Sequence, residues 1–301
     1  MNRTEMMERI ALLKKERNAV ILAHNYQPGE VQDAADILGD SLELSRKAAA
    51  TEASVIVFCG VHFMAETAAI LAPRKYVLLP EPGAGCPMSD MITADQLRTW
   101  KARYPGRPVV CYVNTSAEVK AESDVCCTSS NAVRVVESLK EAEVLFVPDK
   151  NLAAFIARTS RKKIIPWDGY CFVHHLIYAD DVHRARREHP EAEIWAHPEC
   201  RPQVIDLSDK ALSTGQMVAE ARATTRREVV LATEAGMTYR LAKENPGKSF
   251  IPIKAAALCV NMKKTTLAKV LSALENLETR ITVPDEIADR ARTAIEKMIR
   301  I

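Results

Sequence analysis

A register that recurs three times constrains this chain more than any other feature. Short β-rich runs at NAVILAHN (18–25), RPVVCYVN (107–114) and AEIWAHPE (192–199) end in the tips His24-Asn25-Tyr26, Tyr112-Val113-Asn114 and His197-Pro198-Glu199. Fifteen residues beyond Tyr26, Asn114 and Glu199 stand Ser41, Ser129 and Thr214, each a hydroxyl at the start of a helix-like stretch. Cys86, Cys171 and Cys259 follow the same anchors by 60, 57 and 60 residues, so one three-residue deletion in the middle copy aligns the whole register. Self-similarity at a fixed period marks a repeated supersecondary unit.

Each copy contains two further β-rich runs, among them ASVIVFCG (53–60), AEVLFVPD (142–149) and REVVLATE (227–234), with helix-like stretches between. Near-continuous apolar strands alternating with helices predict parallel sheets covered on both faces. The expected fold is α/β: three homologous three-layer αβα domains, three strands each, spanning 1–91, 92–180 and 181–301. They are expected to be related by pseudo-threefold symmetry around a central site. A helix from Thr4 to about Arg17 opens the chain and another over 284–301 closes it. In such sheets the loops at the carboxyl ends of the strands form the site, and every residue marked by the repeat lies there.

Composition excludes several classes. Lys and Arg number 41 against 39 Asp and Glu, a net charge of +2, which argues against electrostatic nucleic-acid binding. No apolar run approaches the ~18 residues of a membrane helix, and MNRTEMMERIALLKKERN has no apolar h-region, so no membrane association and a cytoplasmic location are expected. Eight cysteines without a CxxC pair are expected as thiols.

Three cysteines from separate segments, one per copy, suit a soft metal centre: an iron–sulfur cluster, with zinc the alternative. Three thiolates on a cubane cluster leave one iron open as a Lewis acid. Cys59 and Cys111 lie inside strand-like runs, and Cys126, Cys127 and Cys200 have no counterparts in register, so all five stay outside the expected site. Ser41, Ser129 and Thr214 can each cap a helix whose free N–H groups favour an anion, with Ser130, Ser213, Gly215 and a cationic His assisting. At the strand tips, Glu199 and Tyr26 are the candidate proton shuttles, and His24, Asn114 and His197 the candidate carboxylate or carbonyl binders. His62 and Lys150 are candidates either for phosphate contacts or for groups that support the site from behind. His174, His175, His183 and His189 fall in or beside the charged segment YADDVHRARREHPEAE and are expected in a solvated helix and linker, although His174 and His175 lie close to Cys171.

The stretches AHNYQPGEVQDAAD, GDSLELS, FCGVHFMAETA, PGAGCPM, CYVNTSAEVKAESDVCCTSSNA, FVPDKNLA, WDGYCFVHH, AHPEC, LSTGQM, ATEAGM and ALCVNMKK span roughly residues 20–265. Together they resemble the quinolinate synthase family. The resemblance implies three similar αβα domains and a [4Fe-4S] cluster on Cys86, Cys171 and Cys259. It implies condensation of iminosuccinate with dihydroxyacetone phosphate to quinolinate, losing phosphate and two waters, in NAD biosynthesis. It further implies iminosuccinate contacts from His24, Ser41, Tyr112, Val113, Asn114, Ser129, His197, Pro198, Glu199 and Thr214. Tyr26, Glu199 and His197 would be catalytic. A transient contact with the enzyme that makes iminosuccinate is a further expectation. Longer members carry a CxxCxxC run near the C-terminus. Here Cys259 stands alone in Leu258-Cys259-Val260-Asn261-Met262, as in the short form. The rival readings are another open-iron hydro-lyase, a non-catalytic iron–sulfur carrier or sensor, and a zinc protein.

Overall fold

The apolar runs pair into three separate sheets in a computed structural model that describes residues 1–301. The first sheet comprises β1 (Ala19–His24), β2 (Ile37–Gly39), β3 (Val55–Cys59) and β4 (Tyr76–Leu78), in the order β2-β1-β3-β4. The second repeats this order with β5 (Val109–Tyr112), β6 (Val125–Cys127), β7 (Glu143–Val147) and β8 (Lys163–Pro166), as β6-β5-β7-β8. The third does so again with β9 (Glu193–Ala196), β10 (Lys210–Ala211), β11 (Glu228–Ala232) and β12 (Ser249–Pro252), as β10-β9-β11-β12. Every ladder is parallel, so helices must cross over between strands. The central strands β3 and β5 are buried along their whole length, which is why their sequence is continuous rather than alternating.

Each sheet has four strands where the sequence predicts three. The extra strand in each, β2, β6 or β10, is only two or three residues long at a sheet edge, too short for periodicity to register. A repeated device holds it in place. Asp36, Asp124 and Asp209 stand just ahead of these strands, and each carboxylate accepts the backbone N–H of the residue fifteen positions earlier: Ile21 at 2.8 Å, Val109 at 2.7 Å and Ile194 at 2.7 Å. Charged acceptors on backbone donors are worth about 1.5–3 kcal/mol each.

The terminal helices fasten the units together. Asn2 caps the helix Arg3–Glu16 through a reciprocal capping box with Glu5. That helix packs Ile10 and Leu13 with Ile21 and Val57 of the first sheet and with Val270 and Leu274 of the helix Leu267–Asn276. Although contiguous in sequence with the third sheet, Leu267–Asn276 thus lies on the first. The last helix, Asp285–Arg300, packs against Ala117–Ala121 and β6 of the second, and its Met298 carbonyl accepts from Nδ2 of Asn131 at 3.1 Å. No helix is long and apolar enough to cross a membrane.

Candidate active site

All strands run parallel, so their carboxyl ends share a side of each sheet, and the side chains at these ends line a single cavity. Cys86, Cys171 and Cys259 all line it, one from the loop after the last strand of each sheet. His24, Tyr26, Ser41, Tyr112, Asn114 and Ser129 are on the same wall, as are His197, Glu199 and Thr214. Val113 and Pro198 are not: Val113 is buried and spends its N–H on the carbonyl of Cys127 at 3.0 Å. His62 is exposed and pairs loosely with Glu66, while Lys150 pairs with Asp168 at 2.7 Å, so neither reaches the cavity.

The helix starts differ from expectation in an informative way. The caps are Asp40 before Ser41–Ala50 and Ser213 before Thr214–Ala223, whereas Asn131 precedes Ala132–Ser138 without a capping side-chain bond. Ser41, Ser129 and Thr214 are therefore not caps, and their hydroxyls are free to face the cavity. The three starts meet: the Ser130 hydroxyl donates to Oδ2 of Asp40 and lies 2.9 Å from that of Ser213, and Gly215 leaves no room for a Cβ beside Asp40. Residues of all three units are thus joined through side chains at one point.

The chemistry of the donor set fits a metal cluster. Burial pushes the Cys86 thiol up to about 12, Cys171 well above the ordinary thiol range and Cys259 upward. Cys86 would also feel a thiolate at Cys259, and Cys171 one at Cys86. Three thiols that line one cavity and resist ionisation alone are expected where a cation is to supply the compensating charge. Two of their backbones are pinned by buried carboxylates: Asp149 Oδ2 accepts the N–H of Cys171 at 3.1 Å, and Glu234 Oε1 that of Cys259 at 3.1 Å. Cys59, Cys111, Cys126, Cys127 and Cys200 are buried away from the wall, and all eight cysteines are free.

Beside Cys171 runs a chain of polar groups. Tyr112 donates its phenolic hydrogen to Oε1 of Glu199. Oε2 of Glu199 lies 2.5 Å from Nδ1 of His174, out of line for a hydrogen bond. On the far side of that ring Nε2 is 2.9 Å from Oγ1 of Thr233, which is 2.7 Å from the hydroxyl of Tyr26. Burial alone would raise the Glu199 carboxyl, but the adjacent His174 ring and the bond from Tyr112 outweigh it and hold it below the usual range. Burial and the Glu199 charge push Tyr26 and Tyr112 well above the usual phenol, so both keep their protons. His24 is held down to about 4 by burial and His197 to about 3 by burial and by His174, which stacks on it at 4.5 Å. In the bare cavity these two rings are neutral, not the cation the sequence suggests.

Two members of this chain escape the sequence reading. His174 is buried on the short helix Phe172–His175 rather than in a solvated segment, and Thr233 sits just beyond β11. Adjacency to Cys171 was the available signal for His174. For Thr233 there was none, since an isolated Thr between a strand and a helix has many uses. Charged neighbours from residue 178 onward do form a helix, Ala179–Glu188, with His183 exposed on it.

A family model described as Quinolinate synthetase A protein matches residues 8–300. Curated relatives point the same way. A quinolinate synthase of Dehalococcoides mccartyi is 59% identical over 301 residues, covering 100% of both chains. That of Methanoregula boonei is 56% identical over 296 residues (98% of each), and that of Thermodesulfovibrio yellowstonii 53% over 301 residues (100% of this chain, 99% of the other). With a family model spanning almost every residue and relatives above half identity end to end, the chain belongs to the quinolinate synthetase A family.

Proposed function

We propose that this protein is a quinolinate synthase acting in NAD biosynthesis: it condenses iminosuccinate with dihydroxyacetone phosphate to quinolinate, with loss of phosphate and two waters. The observation that carries the reading is that cysteines 85 and 88 residues apart in sequence line one cavity with Tyr26, Tyr112, His24, His197 and Glu199. In this reading Cys86, Cys171 and Cys259 hold a [4Fe-4S] cluster, one iron keeping no protein ligand. When bound, such a cluster supplies Lewis acidity toward a substrate oxygen. We take the three sheet units as 1–91, 92–180 and 181–301, arranged about a pseudo-threefold axis.

The chain's own residues do the rest. Iminosuccinate brings two carboxylates, and the hydroxyls of Ser41, Ser129 and Thr214 offer donors to them, with Tyr112 and Asn114 completing the wall. Neutral His24 and His197 each offer one ring N–H, and an arriving anion would favour their protonation. Tyr26, protonated, gives a proton at its hydroxyl, and Thr233 and His174 lie in line to restore it. Glu199, ionised, accepts a proton at a carboxylate oxygen. Burial of these groups keeps bulk water from the imine, which water would hydrolyse. The same lability supports a transient contact with the enzyme that supplies iminosuccinate.

Anaerobic purification with iron and sulfide analysis, followed by assay, tests this. The expected result is a brown protein with about four irons per chain that forms quinolinate only when both substrates are present. A second reading, a mononuclear zinc site, is favoured by one observation: Cys171, His174 and Glu199 present ligand atoms within 4.8 Å of one another. It would leave Cys86 and Cys259 without a role, and a colourless protein holding one zinc would establish it.

A further inference from the structure

Asn25 lies between two residues of the site, is fully buried, and has no part in the mechanism above. Its side-chain amide joins the first unit to the third. Nδ2 donates to Oγ1 of Thr214 at 3.1 Å, and Oδ1 accepts from Nη1 of Arg240 at 2.6 Å. The direction of this chain is fixed by chemistry. A guanidinium has donors only, so the amide atom facing Arg240 must be the oxygen; the other end, an NH₂ group, can only donate. Oγ1 of Thr214 is therefore an acceptor toward Asn25. Its own hydrogen finds no acceptor in the protein, and Thr214 lines the cavity. Arg240 is in turn anchored, its Nε donating to Oε1 of Glu244 at 2.6 Å with the side chain only 11% exposed.

We infer that Arg240 and Asn25 form a polarity relay that fixes the Thr214 hydroxyl as a hydrogen-bond donor into the cavity, selecting a carboxylate there. Both are positioning residues: neither lines the cavity, and both act through Thr214. A threonine without the relay could turn either its hydrogen or a lone pair inward, accepting neutral and anionic groups alike. With the relay the hydrogen cannot turn toward Asn25, so it is left for an acceptor in the cavity, and an ionised one matches best. The inference rests on the proposed contact between Thr214 and a substrate carboxylate.

Titration calorimetry with succinate, the saturated four-carbon dicarboxylate, on anaerobically purified protein separates the two ideas. T214V removes the donor. N25D presents acceptors to both neighbours, so the Thr214 hydrogen turns back toward position 25. Each single substitution should raise the succinate Kd about tenfold or more, the scale of a hydrogen bond to a charged group. The double variant N25D/T214V should bind no more weakly than T214V alone, because the relay acts only through that hydroxyl. If N25D weakens succinate equally in the presence of T214V, the effect is the added negative charge and the relay is overturned. A T214V loss with unchanged N25D overturns the relay and leaves the Thr214 contact standing; an unchanged T214V overturns both. Should N25D fail to fold, R240M replaces it: freeing the amide to turn over should weaken succinate binding alone but not when combined with T214V, and weakening in both backgrounds overturns the relay.

Discussion

The hydroxyl of Tyr26 lies 2.7 Å from Oγ1 of Thr233, a residue 207 positions later in the chain and in another unit. Thr233 also lies 2.9 Å from Nε2 of His174, so one hydroxyl bridges the phenol to the imidazole that faces Glu199. T233V keeps the shape and removes the bridge. Positioned proton transfer contributes about a hundredfold or more, so kcat should fall by about that factor while KM for either substrate changes little. T233S should restore turnover. Steady-state kinetics on the three proteins decides the matter, and wild-type kcat in T233V would remove the bridge from the proton path.

Glu199 sits where Tyr112 of the second unit meets His174 and His197. E199Q preserves an acceptor for Tyr112 but has no carboxylate to take a proton. We expect iron content and the visible spectrum to be unchanged and kcat to fall about a hundredfold or more. Loss of iron along with activity would instead make Glu199 a structural support for the metal centre.

Much of this site is legible in the sequence because the fold repeats. Strand tip, helix start and cysteine recur at fixed offsets, and parallel sheets bring such positions to one end, which is how Cys86, Cys171 and Cys259 could be grouped without coordinates. The register also held Asp36, Asp124 and Asp209, each ten residues beyond its anchor, though their edge strands are too short to announce themselves. What the register could not reveal breaks the repeat. His174 and Thr233 belong to single units. Asp40 rather than Ser41, and Ser213 rather than Thr214, are the caps, a shift of one residue that pattern reading cannot resolve. The neutrality of His24 and His197 depends on burial depth, which no spacing encodes.

That neutrality carries a pH signature. Burial lowers His24 from the ordinary 6.5 to about 4 in the folded chain. Between these values the unfolded chain binds more protons at this site than the folded one. Stability therefore rises with pH across the window, and the contribution is lost as pH falls from about 6.5 to about 4. A shift of this size corresponds to about 3 kcal/mol. H24N removes the titration, so its urea midpoint should fall less than that of wild type between pH 7 and pH 4.5. Equal slopes for the two proteins would show that His24 is protonated in the fold.

The metal assignment is best tested against its nearest decoy. Cys200 follows Glu199 directly and is buried, but its thiol lies 3.2 Å from the carbonyl of Ala232 and is absent from the cavity wall. Serine there can make the same hydrogen bond, so C200S should keep its iron, colour and turnover. Cys171 lines the cavity at the start of Phe172–His175, with its N–H held by Asp149. That backbone bond survives in C171S, so the fold should persist while a thiolate ligand is lost. Visible absorbance, iron per chain and quinolinate formation should then fall together in C171S, with circular dichroism unchanged. Colour retained in C171S but lost in C200S would move the third ligand to the decoy and undo the register from which the site was built.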